Sequence, residues 1–256
     1  MPVEQDDQLH AEPVPLRDGE TLDDLHLGGL RIIQPRRGYR FSLDPILLCA
    51  FARIGRGATV CDLGTGSGVI PLILARRSPA RHVYGLEIQA AAADRAQRSV
   101  QLNGLAGRVT IVAGDLRRVR SLLAAESCQV VVANPPYRSP GSGRQAAGDE
   151  RAAARHELHG GLDDFLTAAA YLLGSGGRCT IIHLAERLAE LLAAMQRLGL
   201  EPKRLRCVHS RLHEPARLVL VEGRRGGAPG IRVEPPLGIY QGADYSPEVL
   251  AIYASS

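Results

Sequence analysis

The stretch that decides the fold is Val60-Cys61-Asp62-Leu63-Gly64-Thr65-Gly66-Ser67-Gly68-Val69-Ile70. Ala58 to Cys61 is apolar and β-branched enough for a buried parallel strand. Three glycines at alternate positions follow, and they let the backbone turn tightly with no side chain between it and a ligand. A helical pattern resumes at Val69 and runs to Arg77, with Pro79 just beyond as a stop signal. Strand, glycine turn and helix in this order place a ligand at the carboxyl end of the strand, against a helix N-terminus.

The spacing narrows the choice of ligand. Gly64, Gly66 and Gly68 form G-x-G-x-G, whereas a dinucleotide fingerprint would need its third glycine at Val69. A phosphate loop needs a lysine after its last glycine, and the one lysine of the chain is the distant Lys203. Asp62 stands just before the glycines, where it would repel a pyrophosphate. S-adenosylmethionine, with a sulfonium, an ammonium and a carboxylate but no phosphate, suits these residues better. A plain βα turn of some other α/β protein is the alternative at this point.

Composition sets the frame. The 256 residues are 45% hydrophobic, enough for one α/β domain with additions rather than two independent cores. The formal net charge of +4, carried almost wholly by arginine, permits a nucleic-acid substrate without demanding one. Cys49, Cys61, Cys128, Cys179 and Cys207 are scattered and form no C-x-x-C, so neither a zinc site nor a disulfide framework is indicated. Buried thiols in a reducing cytosol are the expectation, with no metal. No signal-peptide core and no bilayer-spanning apolar run is seen, so no membrane is expected.

From the N-terminus, residues 1–20 are polar and rich in acids and prolines, and read as a disordered leader. Residues 21–256 read as a single domain, opening with a hairpin and cap over about 21–52. Leu25 to Ile33 is extended around a Gly28-Gly29 turn. Gln34 to Pro45 packs Arg36, Arg37 and Arg40 with Tyr39 and Phe41 into a short loop. Its tail, Ser42 to Asp44, caps a helix from Pro45 to Phe51. The arginines suit phosphates, and Phe41 and Asp44 suit a cover over the cofactor. A solvated basic loop with an anchoring phenylalanine explains the same residues.

Past the glycine turn, a second strand (Arg81 to Ile88) carries Glu87 at its end, about 20 residues on, where an acid suits both hydroxyls of a ribose. A helix from Ala90 to Leu102 closes on Asn103-Gly104. The third strand, Arg108 to Ala113, ends in Gly114-Asp115-Leu116. Asp115 suits an adenine amino group, with the Leu116 N–H beside it. Asp62, Glu87 and Asp115 thus fall at three consecutive strand ends. Each alone is explained by a helix cap or a solvated acid; the three in register point to an adenosyl ligand.

The fourth strand, Gln129 to Ala133, runs into Asn134-Pro135-Pro136-Tyr137, the sharpest chemical motif of the chain. Two prolines fix φ and remove two amide donors, leaving carbonyls in set directions. With the Asn134 side-chain oxygen they offer a pair of acceptors to a planar NH2 group. Holding both its hydrogens draws the nitrogen lone pair out of conjugation and aims it at an electrophile, without a strong base. Tyr137 can stack on a planar substrate. Irregular sequence from Arg138 to about Gly161 includes Arg144, Arg151, Arg155 and His156, and reads as a loop that grips substrate. A helix (Leu162 to Leu173), a fifth strand (Arg178 to His183), a helix (Ala185 to Leu198) and two strands too close for a crossover (Lys203 to His209, Arg217 to Glu222) complete the domain.

Five β/α units followed by an antiparallel pair resemble the class I methyltransferase fold, a Rossmann-like α/β architecture. The implied sheet is seven-stranded and mostly parallel, with a C-terminal antiparallel pair. The motif at Asn134 to Tyr137 resembles that of amino-group methyltransferases. Over most of the chain the match is closer. Gln34 with Gly38-Tyr39-Arg40-Phe41-Ser42-Leu43-Asp44 is similar to the bacterial tRNA(Val) adenine-N6 methyltransferase family. So are Gly141-Ser142-Gly143-Arg144, Ala154-Arg155-His156-Glu157, Leu162-Asp163-Asp164, and Tyr245 to Tyr253. Arg138 departs from the pattern, which has an aromatic there. The resemblance implies that Asp62, Gly64, Gly66 and Gly68 cradle the methionine part of S-adenosylmethionine. It implies that Glu87 binds the ribose, that Asp115 binds the adenine, and that Asn134, Pro135 and Tyr137 position the target amine. That amine would be N6 of the adenine beside the anticodon in tRNA(Val), a base already single-stranded. A protein-glutamine methyltransferase and an N2-guanine methyltransferase on ribosomal RNA would use the same acceptors, and a non-catalytic nucleotide-binding module would share the fold. The arginine-rich loop favours RNA.

Overall fold

The computed structural model describes residues 14–37, 42–137 and 160–254. A hairpin comes first: β1 (Glu20–Asp24) pairs antiparallel with β2 (Arg31–Pro35). Glu20, the end of the expected leader, is instead the first residue of β1. Its carboxylate meets the nearly buried Arg98 at 2.5 Å, and the carbonyl of Pro15 accepts from the same guanidinium. Residues just before β1 are therefore anchored to the domain rather than loose.

The α/β units follow as the apolar runs demand. They are α1 (Asp44–Phe51), β3 (Thr59–Leu63), α2 (Val69–Arg77), β4 (His82–Glu87), α3 (Ala90–Leu102) and β5 (Val109–Ala113). A 3-10 turn over Leu116–Ser121 leads to β6 (Cys128–Ala133). The rest comprises α4 (Leu162–Leu172), β7 (Leu173–Leu184), a 3-10 turn over Ala185–Arg187, α5 (Leu188–Arg197), β8 (Leu200–His209) and β9 (Ala216–Arg225). The two-residue strands β10 (Arg232–Val233), β11 (Leu237–Gly238), β12 (Tyr240–Gln241) and β13 (Asp244–Tyr245) precede α6 (Pro247–Ala254).

Among the described residues the main sheet has nine strands, in the order β10-β8-β9-β7-β6-β3-β4-β5, with β11 also on β8. The seven long strands are those expected; β10 and β11 add short parallel pairings on the outer edge of β8. Strands β3 to β7 are mutually parallel. Strand β9 inserts antiparallel between β7 and β8. Side-chain alternation along the central strands divides the core between the two faces of the sheet. Val60, Val83, Val130 and Ile182 pack with α1, α2 and α3 on one side. Cys61, Leu86, Val131 and Ile181 pack with α4 and α5 on the other. β7 begins well before Arg178: it takes in Leu173 to Gly177, where a run of glycines reads as a turn, and absorbs the irregularity in a register shift against β6 between Cys128 and Val130.

Parallel strands share one carboxyl edge. Asp62, Glu87, Asn134 and His183 all lie at or just past strand ends on that edge. Among the described residues no helix is long and apolar enough to cross a membrane.

Candidate functional site

The glycine turn after β3 has the conformation that its spacing asks for. Gly64, Gly66 and Gly68 sit at φ of +74°, +58° and +90°, in the left-handed region that side chains resist. Their surroundings differ. A Cβ on Gly64 would meet the Phe165 ring at 3.1 Å, and one on Gly68 would meet the Ala96 Cβ at 3.1 Å. Those two positions let α4 and α3 approach the turn. Of the three, only at Gly66 would a Cβ meet open space.

Glu87 is nearly buried and binds this turn. Its Oε2 accepts from the Gly66 N–H at 2.8 Å and its Oε1 from the Gln89 N–H at 2.8 Å. Each carboxylate oxygen has a second lone pair for a further donor.

Asp62 is wholly buried, and among the described residues neither carboxylate oxygen has a hydrogen-bond partner of good geometry. Burial pushes its pKa up to about 7; the neighbouring Thr65 hydroxyl pulls it down, and the charge of Glu87 adds to the rise. The buried Thr65 Oγ1 likewise makes no hydrogen bond of good geometry among the described residues, so its hold on Asp62 is a weak one. A buried acid without a donor is costly, and a cationic ligand group relieves that cost. The pair of Asp62 and the open Gly66 therefore fits the ammonium and sulfonium of S-adenosylmethionine.

Asp115 is engaged otherwise than expected. Its Oδ1 accepts from the Arg117 N–H as an N-cap, and the Arg117 guanidinium grips both oxygens, the closest contact at 2.6 Å. This hydrogen bonding with Arg117 holds the Asp115 carboxyl below its usual range. Leu116 beside it is buried. The sequence shows Arg117 only as one of several basic residues after Asp115, and says nothing of the fork it closes over that acid.

At the end of β6, Asn134 and Tyr137 are half-buried and Pro135 is buried. The Tyr137 hydroxyl lies 2.5 Å from Asp44 Oδ2 and 3.0 Å from Asn134 Oδ1. Asp44, expected over the cofactor, is thus brought to the Asn-Pro-Pro-Tyr turn by the first turn of α1. The Tyr137 carbonyl accepts from Arg187 at 3.3 Å, and Arg187 is in turn held by Glu190.

His183 was not singled out by motif. It is fully buried at the end of β7, with its ring 5.9 Å from that of Tyr137. Its Nδ1 accepts from the Leu184 N–H at 2.7 Å. The signal available in the sequence was positional: His183 closes the fifth strand as Glu87 closes the second.

Arg36 and Arg37 are exposed, just past the hairpin. Phe41, Arg40, Arg138, Arg144, Arg151, Arg155 and His156 lie outside the described residues. Among the described residues no cluster of His, Cys, Asp or Glu suited to a metal is present. Cys61, Cys128 and Cys179 are buried thiols, and Cys49 and Cys207 are half-buried.

The family model of the methyltransferase small domain matches residues 45–195. A tRNA1(Val) (adenine(37)-N6)-methyltransferase of Porphyromonas gingivalis is 31% identical over 191 residues, covering 72% of this chain and 74% of the relative. The protein of the same description from Photobacterium profundum is 27% identical over 217 residues, covering 84% and 90%. Among solved structures, one described as a predicted O-methyltransferase from Agrobacterium tumefaciens superposes with a TM-score of 0.66 at 24% identity, covering 83% of this chain and 96% of that one. TrmN from Thermus thermophilus gives a TM-score of 0.51 at 23% identity, covering 70% and 48%. These two likenesses establish the Rossmann-like methyltransferase fold. The chain belongs to the methyltransferase small-domain family, together with the tRNA1(Val) (adenine(37)-N6)-methyltransferases that it matches.

Proposed function

We propose that this methyltransferase transfers a methyl group from S-adenosylmethionine to the exocyclic N6 amine of an adenine in the anticodon loop of tRNA(Val). The reading extends to a cytoplasmic setting and to residues 21–256 acting as one domain. The observation that carries it is the adjacency of two things on the strand-carboxyl edge. One is the buried Asp62 of β3, without a hydrogen-bond partner of good geometry among the described residues, beside the open Gly66 of the turn that follows. The other is the Asn134-Pro135-Pro136-Tyr137 turn on the neighbouring strand β6.

When bound, S-adenosylmethionine supplies an electrophilic methyl group on its sulfonium. In this reading Asp62 and the turn of Gly64, Gly66 and Gly68 hold its methionine end. Glu87, fixed by the Gly66 and Gln89 amides, takes the ribose hydroxyls. Asp115 with the Leu116 N–H takes the adenine, after sharing or releasing Arg117. Phe41 covers the cofactor. Asn134 and the Pro135 carbonyl accept the two N6 hydrogens, so that the nitrogen lone pair leaves conjugation and points at the methyl. The new N–C bond forms as the S–C bond breaks, and the surplus amine proton passes to water. Tyr137, held by Asp44, places its ring against the base. Arg36, Arg37, Arg40, Arg144 and Arg155 meet phosphates of the RNA.

Methyl transfer from labelled S-adenosylmethionine to bulk tRNA, followed by nucleoside digestion and mass analysis, tests this. The expected product is N6-methyladenosine, absent with Asn134→Ala. Label on ribosomal RNA or on a protein glutamine, and none on tRNA, would overturn the substrate while leaving the methyltransferase.

A further inference from the structure

Resting on that reading, we infer that His183 is a specificity-determining donor: its Nε2–H binds a ring nitrogen of the target adenine next to the amine held by Asn134.

Four observations meet at this residue. The Leu184 N–H donates to Nδ1 at 2.7 Å, so Nδ1 must carry a lone pair and the neutral ring carries its proton on Nε2. That Nε2 is buried and has no hydrogen-bond partner among the described residues. The ring stands 5.9 Å from that of Tyr137, in a tilted arrangement. Strand β7, which carries it, is the parallel neighbour of β6, which runs directly into Asn134. A buried donor left without an acceptor is rare and costly, and functional sites are where such groups persist. Burial holds the imidazole neutral, with its pKa lowered to about 4, so the donor is present throughout the neutral range.

The chemistry of the base supplies the missing acceptor. In adenine, N1 is bonded to the carbon that bears N6 and N7 to the next ring carbon, so each lies to one side of the amine, and both are lone-pair acceptors. Asn134 and Pro135 take hydrogens from the amine, and a donor beside them takes one of these nitrogens. The three contacts then fix the ring in its plane. Guanine presents N1–H and O6 on the same edge, so a donor directed at N1 meets another donor; N7 accepts in both bases, so it is the N1 contact that would tell them apart. A site built around such a bond rejects analogues lacking the partner far more strongly than an apolar wall does.

Atom substitution in the substrate tests this directly. The substrates are three tRNA(Val) anticodon arms, carrying adenosine, 1-deazaadenosine or 7-deazaadenosine at the target position. Wild-type kcat/KM is expected to fall about ten-fold or more on one deaza analogue and little on the other. His183→Phe is expected to lose a similar factor on adenosine and nothing further on that analogue. His183→Gln, which keeps a donor, is expected to recover most of the activity on adenosine. Unchanged affinity for S-adenosylmethionine and unchanged thermal unfolding separate this role from a structural one. Equal losses by His183→Phe on all three arms, or a wild type indifferent to both analogues, overturn the inference while leaving the function standing. The second of these needs no variant, so a His183→Phe protein that fails to fold does not protect the idea. A wild type that leaves ordinary adenosine unmethylated overturns the proposed function and this inference together.

Discussion

The Tyr137 hydroxyl and the Asp44 carboxylate approach to 2.5 Å, tying the turn after β6 to the first turn of α1. A hydroxyl has one proton. With that proton on Asp44, none is left for the Asn134 Oδ1 at 3.0 Å; the amide turned the other way would let Tyr137 accept from its nitrogen and free its oxygen for a substrate amine. Amide orientation follows from the surrounding hydrogen bonds in this way. Asp44→Ala and Tyr137→Phe are each expected to lower kcat about ten-fold, the scale of one charge-assisted hydrogen bond. The double variant should be little worse than either single one, because both remove the same contact. Steady-state kinetics on tRNA check this, and simple additivity would refute the link.

Asp62 makes cofactor binding depend on pH. Its carboxyl, raised to about 7 by burial, is protonated in the free protein below that value, whereas a cationic ligand favours the ionised form. Affinity for S-adenosylmethionine should therefore weaken about ten-fold per pH unit below about 7 and level off above it. The ligand-free protein shows the opposite sign. Its folded carboxyl holds a proton that the unfolded chain has lost, so stability falls as pH rises from the ordinary Asp range through about 7. Calorimetric titration in buffers of different ionisation enthalpy should show proton release on binding near pH 6. Asp62→Asn should abolish that release and weaken binding.

The glycines of the turn should separate by substitution. Gly66→Ala places a side chain at φ +58° with nothing to clash against, costing about 1–2 kcal/mol of stability. It should weaken S-adenosylmethionine binding by a larger factor than the fold is weakened, since the new methyl occupies the ligand's place. Gly68→Ala drives a Cβ to 3.1 Å from that of Ala96, so its larger effect should be on thermal unfolding. Paired melting and binding measurements on the two variants decide.

A buried ion cluster far from the reaction offers a stability test. Arg204 lies over the Phe51 ring at 4.1 Å, donates to the Phe51 carbonyl, and pairs with Glu222 at 2.9 Å and Glu234 at 2.7 Å. Arg204→Ala leaves Glu222 buried without its cation, which should cost about 3–5 kcal/mol. Arg204→Ala with Glu222→Leu should recover part of that loss. Denaturant unfolding would show it, and a double variant weaker than the single one would contradict it.

Much of the fold was legible because each β/α unit declares itself locally. An apolar run, a glycine or acid at its end and a helical period fixed β3 to β6 and the helices between them. Strand ends in a parallel sheet share an edge, so Asp62, Glu87 and Asn134 could be brought together from order alone. What escaped depended on contacts distant in sequence. Gly174 to Gly177 reads as a break between helix and strand, and lies within β7 because β6 pairs on either side of it, at Leu173 and again from Arg178. That the His183 Nε2 is buried without a partner among the described residues depends on the packing around it. The meeting of Asp44 with Tyr137 joins residues 93 positions apart, and no periodicity reports such a pair.

The place of β9 in the sheet has a consequence for synthesis. Strand β7 lies between β6 and β9, and β9 comes later in sequence than β8. Until Ala216–Arg225 has left the ribosome, β7 keeps one open edge, with the apolar Ile181 and Ile182 beside unpaired backbone amides. The nascent chain thus carries its glycine turn and its Asn-Pro-Pro-Tyr turn before the strand that seals the sheet exists. A ribosome stalled between the end of β8 and the end of β9 would hold a sticky intermediate, and the rate of translation through that interval governs its exposure to chaperones.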